Sequence, residues 1–377
     1  MKGQYLQATI DTITAAGLQN STSNMCKIND LLLVTRIEPA KAIIAKIEVA
    51  VNQDIKIIKS HLSANFLYYY FSAFRTEYER KASGSTVQGI SLPNIQSTEI
   101  PLPPIAEQHR IVDRIESLFA KLDEAKEKAQ TVVDSFETRK AAILHKAFTG
   151  ELTRLWRIKQ HIEKNWFMKK MSEVCDVRDG THDSPQYHST GFPLVTSKNL
   201  KNDVITDKGL KYISLSDYKQ INLRSKVDIG DILFAMIGTI GSPVVVTERP
   251  NYAIKNVALF KNINKINSFF LKYYLESEYV TNKMTNEAKG TTQKFVPLGY
   301  LRNFLVPVPS EPEQIEIVRI IDSLLSKEQQ AKDAAEAVID QIDTMKKSIL
   351  ARAFRGELGT NDPAEEWAGE VVKSILK

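Results

Sequence analysis

Two short stretches of this chain concentrate the side chains that could grip or read a nucleic acid. Arg80-Lys-Ala-Ser-Gly-Ser-Thr-Val-Gln88 and Asn286-Glu-Ala-Lys-Gly-Thr-Thr-Gln-Lys294 each gather hydroxyl and amide groups around one glycine, with cations close by. Ser85, Thr86 and Gln88 in the first stretch, and Thr291, Thr292 and Gln293 in the second, carry donors and acceptors suited to base edges. Arg80, Lys81, Lys289 and Lys294 suit phosphates, and Gly290 lets backbone approach closely. The same residues also suit a plain polar surface turn. Thr181, His182 and Lys198 are further candidates for DNA contact, in and just beyond Asp179-Gly-Thr-His-Asp-Ser-Pro185.

Catalytic chemistry finds less support. The chain has no phosphate cradle of the G-x-x-x-x-G-K-S/T kind and no strand-linked G-x-G-x-x-G. Gly238-Thr-Ile-Gly241-Ser-Pro243 falls between two strand-like runs and reads as a hairpin turn. Pro103-Pro104 lacks the preceding Asn or Asp and the following aromatic that an adenine methyltransferase uses to hold a flipped base. His182 and His188, with Asp183 between them, find no convincing third and fourth metal ligand. Glu124-Ala-Lys126 has no strand or paired Asp to make it a nuclease site, and His109 and His145 fall on helices where exposure is the default. Cys26 and Cys175 are too few for a disulfide framework and read as small inert side chains. No catalytic residue, metal site or cofactor is expected on this chain.

The elements that must position the polar stretches repeat. Ile-Pro-Leu-Pro-Pro-Ile-Ala-Glu-Gln (100–108) returns 206 residues later as Val-Pro-Val-Pro-Ser-Glu-Pro-Glu-Gln (306–314), and Ala147-Phe148 with Gly150-Glu151-Leu152 returns as Ala353-Phe354 with Gly356-Glu357-Leu358. Between these markers apolar residues recur at heptad spacing: Ile111, Ile115, Leu118, Leu122, Ala125, Ala129, Val132, Phe136 and Ile143, then Ile317, Ile321, Leu324, Ala331, Ala335, Val338, Ile342, Met345 and Ile349. In the first run only Arg139 is out of character. Each narrow stripe needs a partner helix, and the other copy supplies it. The intervening globular parts repeat as well: Lys27-Ile-Asn-Asp-Leu-Leu-Leu33 matches Asp228-Ile-Gly-Asp-Ile-Leu-Phe234, and Phe66-Leu-Tyr-Tyr-Tyr70 matches Phe270-Leu-Lys-Tyr-Tyr274.

The expected fold class is therefore α/β, with mixed α+β globular domains, two long helices in an antiparallel coiled coil and a pseudo-twofold internal repeat. The expected organisation is a first domain over 1–104, a coiled-coil helix over 105–152, a linker over 153–165, a second domain over 166–310, a second helix over 311–358 and a tail over 359–377. The 13-residue linker reaches at most about 45 Å, short of the roughly 60 Å of a rod, so the rods should pair antiparallel with one domain at each end. Within the second domain, Ile232 to Ile237, Val244 to Thr247, Val257 to Phe260 and Phe304 to Val308 read as strands. A helix is expected from Ser268 to about Asn282, with Phe269, Phe270, Tyr273, Tyr274 and Tyr279 as core. The first domain has no counterpart of residues 166–200 and is expected to be N-terminally incomplete.

Charge divides unevenly over these parts. Net charge is +2 for 1–104, −1 for 105–152, +3 for 153–165, +6 for 166–310 and −5 for 311–377. Positive globular parts suit a polyanion, and mildly acidic rods suit other proteins. With no apolar run of membrane-spanning length, a cytoplasmic location is expected.

The repeats, heptads, Pro-x-Pro-x-x-x-Glu-Gln exits and Ala-Phe-x-Gly-Glu-Leu helix ends together resemble the specificity subunit of a type I restriction-modification system, over nearly the whole chain. Trp166 and Gly180-Thr-His-Asp-Ser-Pro185 match the family's pattern at the start of a recognition domain, and the first domain lacks both. The resemblance implies two target-recognition domains that read a split sequence on double-stranded DNA. It implies rods that act as spacer and as docking surface for methyltransferase (M) subunits, with motor-nuclease (R) subunits joining the complex. S-adenosylmethionine, ATP and active sites would then belong to the partners. A coiled-coil scaffold with protein-binding ends is the competing reading, and salt-dependent DNA affinity separates the two.

Overall fold

A computed structural model describes residues 3–83, 88–290, 293–365, 369, 372 and 373. It divides into two compact units, one comprising Met1–Thr131 with Ala334–Lys377, the other Val132–Asp333. Each unit combines a mixed α/β fold with segments of two long helices. Among the described residues no helix is long and apolar enough to cross a membrane.

In the second unit an antiparallel four-stranded sheet runs in the order Gly241–Val245, Ile232–Ala235, Val257–Asn262, Cys175–Asp179. Its central strands are apolar at every position from Ile232 to Ala235 and from Val257 to Phe260, and all eight residues are buried, as strands covered on both faces must be. A three-stranded sheet of Lys211–Ile213, Phe192–Val195 and Ala253–Ile254 adjoins it, with the last pair parallel. Gly238 to Gly241 makes the expected hairpin turn, and a register shift between Leu233 and Ala235 accompanies it. In the first unit the sheet order is Tyr5–Leu6, Ala42–Ala45, Leu31–Val34, Ile55–Ile58.

The repeat extends to single hydrogen bonds. Asp30 and Asp231 each accept from the backbone N–H three residues earlier, of Lys27 and Asp228, both at 2.8 Å, and so launch the strands Leu31–Val34 and Ile232–Ala235. Gln108 and Gln314, 0% and 3% exposed, explain the Glu-Gln of the exits. Each side chain accepts the backbone N–H of the residue that caps the aromatic helix, Ser63 or Asn267, at 2.8 Å, and donates to Pro103 or Pro309 carbonyl at 2.9 Å. The Ala-Phe-x-Gly-Glu-Leu ends are helix stops. Gly150 and Gly356 adopt φ of +80° and +73°, their N–H groups return to Ala147 and Ala353, and those of Glu151 and Glu357 return to Lys146 and Arg352. This is the Schellman pattern, which needs a residue without Cβ strain. The helices therefore close at Phe148 and Ala353, and Gly-Glu-Leu lies beyond them.

Three expectations are corrected. The first long helix is not continuous but consists of Ile105–Asp134 and Phe136–Phe148, parted at Ser135. Arg139 bridges that break, donating to Ser135 Oγ, to Val132 carbonyl at 3.1 Å and to Glu328 of the facing helix. The seam is also narrower than the heptad pattern. Ile111, Ile115, Ile317, Ile321 and Ile342 are buried and Leu118, Leu122, Phe136 and Leu324 half-buried, but Val338 and Met345 are 42% and 46% exposed. Ala125 and Ala331 are exposed as well. A straight helix drifts about 20° per heptad against a strict 3.5 repeat, and two helices alone cover only one stripe. Finally, the aromatic helix stops at Glu276 and a second, Glu278–Asn286, follows. Phe270, Tyr273 and Tyr274 are core, whereas Phe269 at the first turn and Tyr279 beyond the break are 44% and 59% exposed.

The helix pairing is antiparallel in each unit. Lys126 meets Asp343 at 3.1 Å and Lys346 meets Asp123 at 2.5 Å in the first, and Arg139 meets Glu328 in the second. The linker carries the helix Arg154–Lys159 and is clamped: Glu313, 2% exposed, accepts from Thr153 Oγ1 at 2.7 Å, from Arg157 and from Trp166 Nε1 at 3.0 Å. Both cysteines are free and buried, and burial pushes the Cys175 thiol up to about 12, which leaves it unreactive.

Candidate nucleic-acid interface

In the second unit the candidate residues meet at one end of the four-stranded sheet. Ala235 pairs with Val257, and Ala258 with Asp179, so three strand ends sit side by side. The residues that flank 291 and 292 are held at this end. Lys289 and Phe295 exchange backbone hydrogen bonds at 2.9 and 2.8 Å, Gly238 N–H donates to Lys294 carbonyl at 2.9 Å, and Val296 N–H to Met236 carbonyl at 2.9 Å. Gly290 has φ +100°, and a Cβ there would sit 2.4 Å from Gln293 carbonyl oxygen, so the glycine is structural. Lys289, Gly290, Gln293 and Lys294 are exposed, while Thr291 and Thr292 lie outside the described residues.

Thr181 and His182 join the same end through the crossing at Gly180, where a Cβ would lie 2.3 Å from Ile254 carbonyl oxygen. Thr181 N–H donates to Ile254 carbonyl at 3.0 Å, and its hydroxyl accepts from Asp183 N–H at 3.2 Å. His182 contacts Asn256 Oδ1 through Nδ1 at 2.8 Å and Asp179 Oδ2 through Nε2 at 2.9 Å. Both ring nitrogens are occupied, and among the described residues no three His, Cys, Asp or Glu side chains gather as a cation site. Lys198 is exposed on the short helical turn Ser197–Asn199, next to Ser197, whose hydroxyl donates to Asn256 carbonyl at 3.1 Å.

Sequence reading missed three members of this end. Lys255 reaches Ser184 Oγ, Arg224 pairs with the 6% exposed Asp179 carboxylate, and Asn256, at φ +56°, links the hairpin of strands to His182. Asn before a strand was a usable signal, since Asn tolerates the left-handed region. Arg224 carried none, because its helix, Leu215–Ser225, is distant in sequence from the sheet end it serves.

The first unit holds its polar stretch in the same frame. Ser83 and Gly89 exchange backbone hydrogen bonds at 2.9 and 3.0 Å, Ile37 N–H donates to Gln88 carbonyl at 3.1 Å, and Ile90 N–H to Thr35 carbonyl at 2.8 Å. These four bonds are the counterparts of the four at 289–296. Arg80 and Lys81 close the helix Ala64–Lys81 and are exposed, as is Gln88; Ser85 and Thr86 lie outside the described residues. Ile37, where the second unit has Gly238, sits at φ +69° and is 79% exposed. A β-branched residue in the left-handed region is strained, and strain of this kind concentrates at functional loops.

Known proteins share this architecture. The specificity subunit of the type I restriction enzyme EcoBI from Escherichia coli is 27% identical over 331 residues, covering 82% of this chain and 69% of that protein. Its EcoKI counterpart from Escherichia coli strain K12 is 24% identical, over 78% of this chain and 65% of that protein. The crystal structure of the HsdS subunit from Thermoanaerobacter tengcongensis superposes with a TM-score of 0.63 at 19% identity, covering 88% of this chain and 82% of that one. Residues 3–132 and 163–337 both match the type I restriction modification DNA specificity domain, so the internal repeat is a repeat of that domain. A chain matched in this way over both of its halves belongs to the family of type I restriction-modification specificity subunits.

Proposed function

We propose that this chain is the non-catalytic sequence reader of a type I restriction-modification complex, and that its two units contact the two parts of a split target on double-stranded DNA. The reading rests on one observation above all: the residues that flank the two polar stretches, Ser83 with Gly89 and Lys289 with Phe295, are held by the same four backbone hydrogen bonds. A frame built twice around different polar side chains suits two half-sites. Lys198, Lys255, Lys289 and Lys294 at one sheet end supply the positive field that the phosphate backbone demands. The paired helices act as spacer and as docking surface for methyltransferase subunits, with motor-nuclease subunits completing the complex.

The test is the salt dependence of duplex binding by the full chain, followed by fluorescence anisotropy. Affinity should fall steeply between roughly 50 and 200 mM salt. Lys289→Ala and Lys294→Ala should each weaken binding to all sequences and reduce the log–log slope by about 1, whereas Gln293→Ala should relax base preference by about 1–3 kcal/mol at its own position. A flat salt profile would favour a protein-binding scaffold instead.

A further inference from the structure

One apolar side chain of the first unit stands where neither backbone preference nor solvation favours it. Ile37 lies on the loop that joins the strands Leu31–Val34 and Ala42–Ala45, at φ +69° and 79% exposed. Among the described residues no other β-branched residue adopts the left-handed region. The loop also inverts the usual order of burial, since Pro39 and Ala40 are buried while the larger Ile37 faces solvent. Glycine suits such a backbone, and the second unit has it, Gly238 at φ +79°. Gly238 is exposed too, so this position lies at the surface in both units and Ile37 is no piece of a core.

The surroundings hold Ile37 in that conformation from several sides. Its N–H donates to Gln88 carbonyl at 3.1 Å, which fixes it beside the polar stretch. Across the loop, Ala40 N–H donates to Val34 carbonyl at 2.9 Å, Val34 N–H to Lys41 carbonyl at 2.9 Å and Lys41 N–H to Glu38 carbonyl at 3.1 Å. Pro39 fixes its own φ and restrains Glu38 before it. The Glu38 carboxylate meets Lys41 at 2.5 Å and Arg75 at 3.6 Å, which ties the loop to the helix Ala64–Lys81. Two polar groups flank the isoleucine. Gln88 is exposed, and Arg36, its side chain 59% exposed, reaches Asp54 at 3.5 Å.

We propose that Ile37 is a specificity-determining residue of the first unit, and that its side chain contacts the C5-methyl group of a thymine in the major groove of one half-site. The inference rests on the reading of this chain as a sequence reader on double-stranded DNA. Thymine alone among the four bases presents a methyl group in the major groove, where the others offer hydrogen-bonding edges. An aliphatic side chain that covers this methyl removes apolar surface of both partners from water. The amide of Gln88 and the guanidinium of Arg36 stand where they can meet the adjoining base edges or phosphates. The braced loop and the stiff χ1 of a β-branched residue leave little freedom to lose on binding, which is what a strained, exposed residue can contribute. Gly238 offers no side chain at the same place, so the methyl contact belongs to one half-site and not to the other.

Duplexes selected from a random pool by the full chain, and in parallel by its Ile37→Gly variant, test the proposal. The unaltered chain should prefer thymine at one position of one half-site, and Ile37→Gly should lose that preference while keeping every other. Replacing this thymine by deoxyuridine removes the methyl alone. It should weaken binding of the unaltered chain about fourfold, the worth of one buried carbon, and leave Ile37→Gly unaffected. The urea midpoint of the first unit should stay level or rise in Ile37→Gly, because the left-handed backbone no longer carries a β-branched side chain. A lower midpoint with preference lost across the whole half-site would make Ile37 a structural residue and overturn the proposal. Equal deoxyuridine penalties in both proteins, or salt-dependent binding with no thymine position that responds to Ile37, would overturn it while leaving the sequence-reader reading intact. Absence of salt-dependent duplex binding by the unaltered chain would overturn that reading, and the inference with it.

Discussion

Replacing Gln314 by Leu should cost the second unit more than the equivalent change at Gln108 costs the first, although the two glutamines make the same bonds. Each side chain satisfies one N–H and one carbonyl of the backbone, and Leu keeps the volume while removing both partners. An unsatisfied buried group costs about 1–3 kcal/mol, and less where water can reach it. Pro309, the carbonyl partner of Gln314, is buried, whereas Pro103 is half-buried. Asn267 and Ser63 are both half-buried, so their N–H groups contribute alike. The expected losses are about 2–4 kcal/mol for Gln314→Leu and about 1–3 kcal/mol for Gln108→Leu, each confined to its own unit. Urea titration with native-state hydrogen exchange resolves the two units, because amides of each report its own opening free energy. A loss below about 0.5 kcal/mol at Gln314 would refute the claim that these glutamines satisfy backbone, and equal losses at the two sites would refute the difference assigned to the burial of Pro309.

Arg157→Met should destabilise the second unit by about 3–5 kcal/mol, because it strands the buried Glu313 carboxylate; adding Glu313→Leu should recover at least half in the same urea titration. Burial raises the Glu276 carboxyl, but Lys272 and Lys140 outweigh it and hold it below the usual carboxylate range. The stability this ion pair contributes is thus present above the ordinary carboxylate pKa of about 4.3 and lost as pH falls through the lower folded value, so Glu276→Gln should flatten the acid limb of a stability–pH profile. Deleting one heptad from each paired helix, residues 123–129 with 340–346, removes the Lys126–Asp343 and Asp123–Lys346 pairs together and keeps the match. If the helices set the spacing of the two half-sites, methylation mapping with partner subunits should show the same half-sites about three base pairs closer, from about 10 Å of lost helix; unchanged spacing with full activity would refute the spacer role.

The architecture was legible because its signals are local and doubled. Apolar runs such as Ile232 to Phe234 and Val257 to Phe260 announce strands covered on both faces, and the second appearance of Pro-x-Pro and Gly-Glu-Leu fixes where each helix starts and stops. The seam was over-read for a physical reason. A sequence shows apolar residues at Val338 and Met345 but not that only one helix faces them, so residues suited to a wider contact stand in solvent. The break at Ser135 left one trace, Arg139 on the apolar stripe, whose meaning depends on Glu328 nearly two hundred residues away. The sheet end was half legible. Its hairpins stand out by composition, but Lys255 and Arg224 arrive there only through strand register and helix packing, which no spacing along the chain encodes.

The two repeats also differ in an informative way. Residues retained at matching positions serve the backbone: Asp30 and Asp231 at the strand starts, Tyr70 and Tyr274 on the exit carbonyls, Gln108 and Gln314 between helix cap and proline. The polar stretches match only in part in sequence: Gly84-Ser85-Thr86 stands where the second unit has Gly290-Thr291-Thr292, but Val87-Gln88 stands where it has Gln293-Lys294. Backbone hydrogen bonds fix where a loop sits, while its side chains fix which base edges it can satisfy. Two identical loops on a repeated frame would read two identical half-sites. A frame kept constant beneath loops that differ instead suits a target whose two parts differ in sequence, and it lets either loop change without disturbing the fold that carries it.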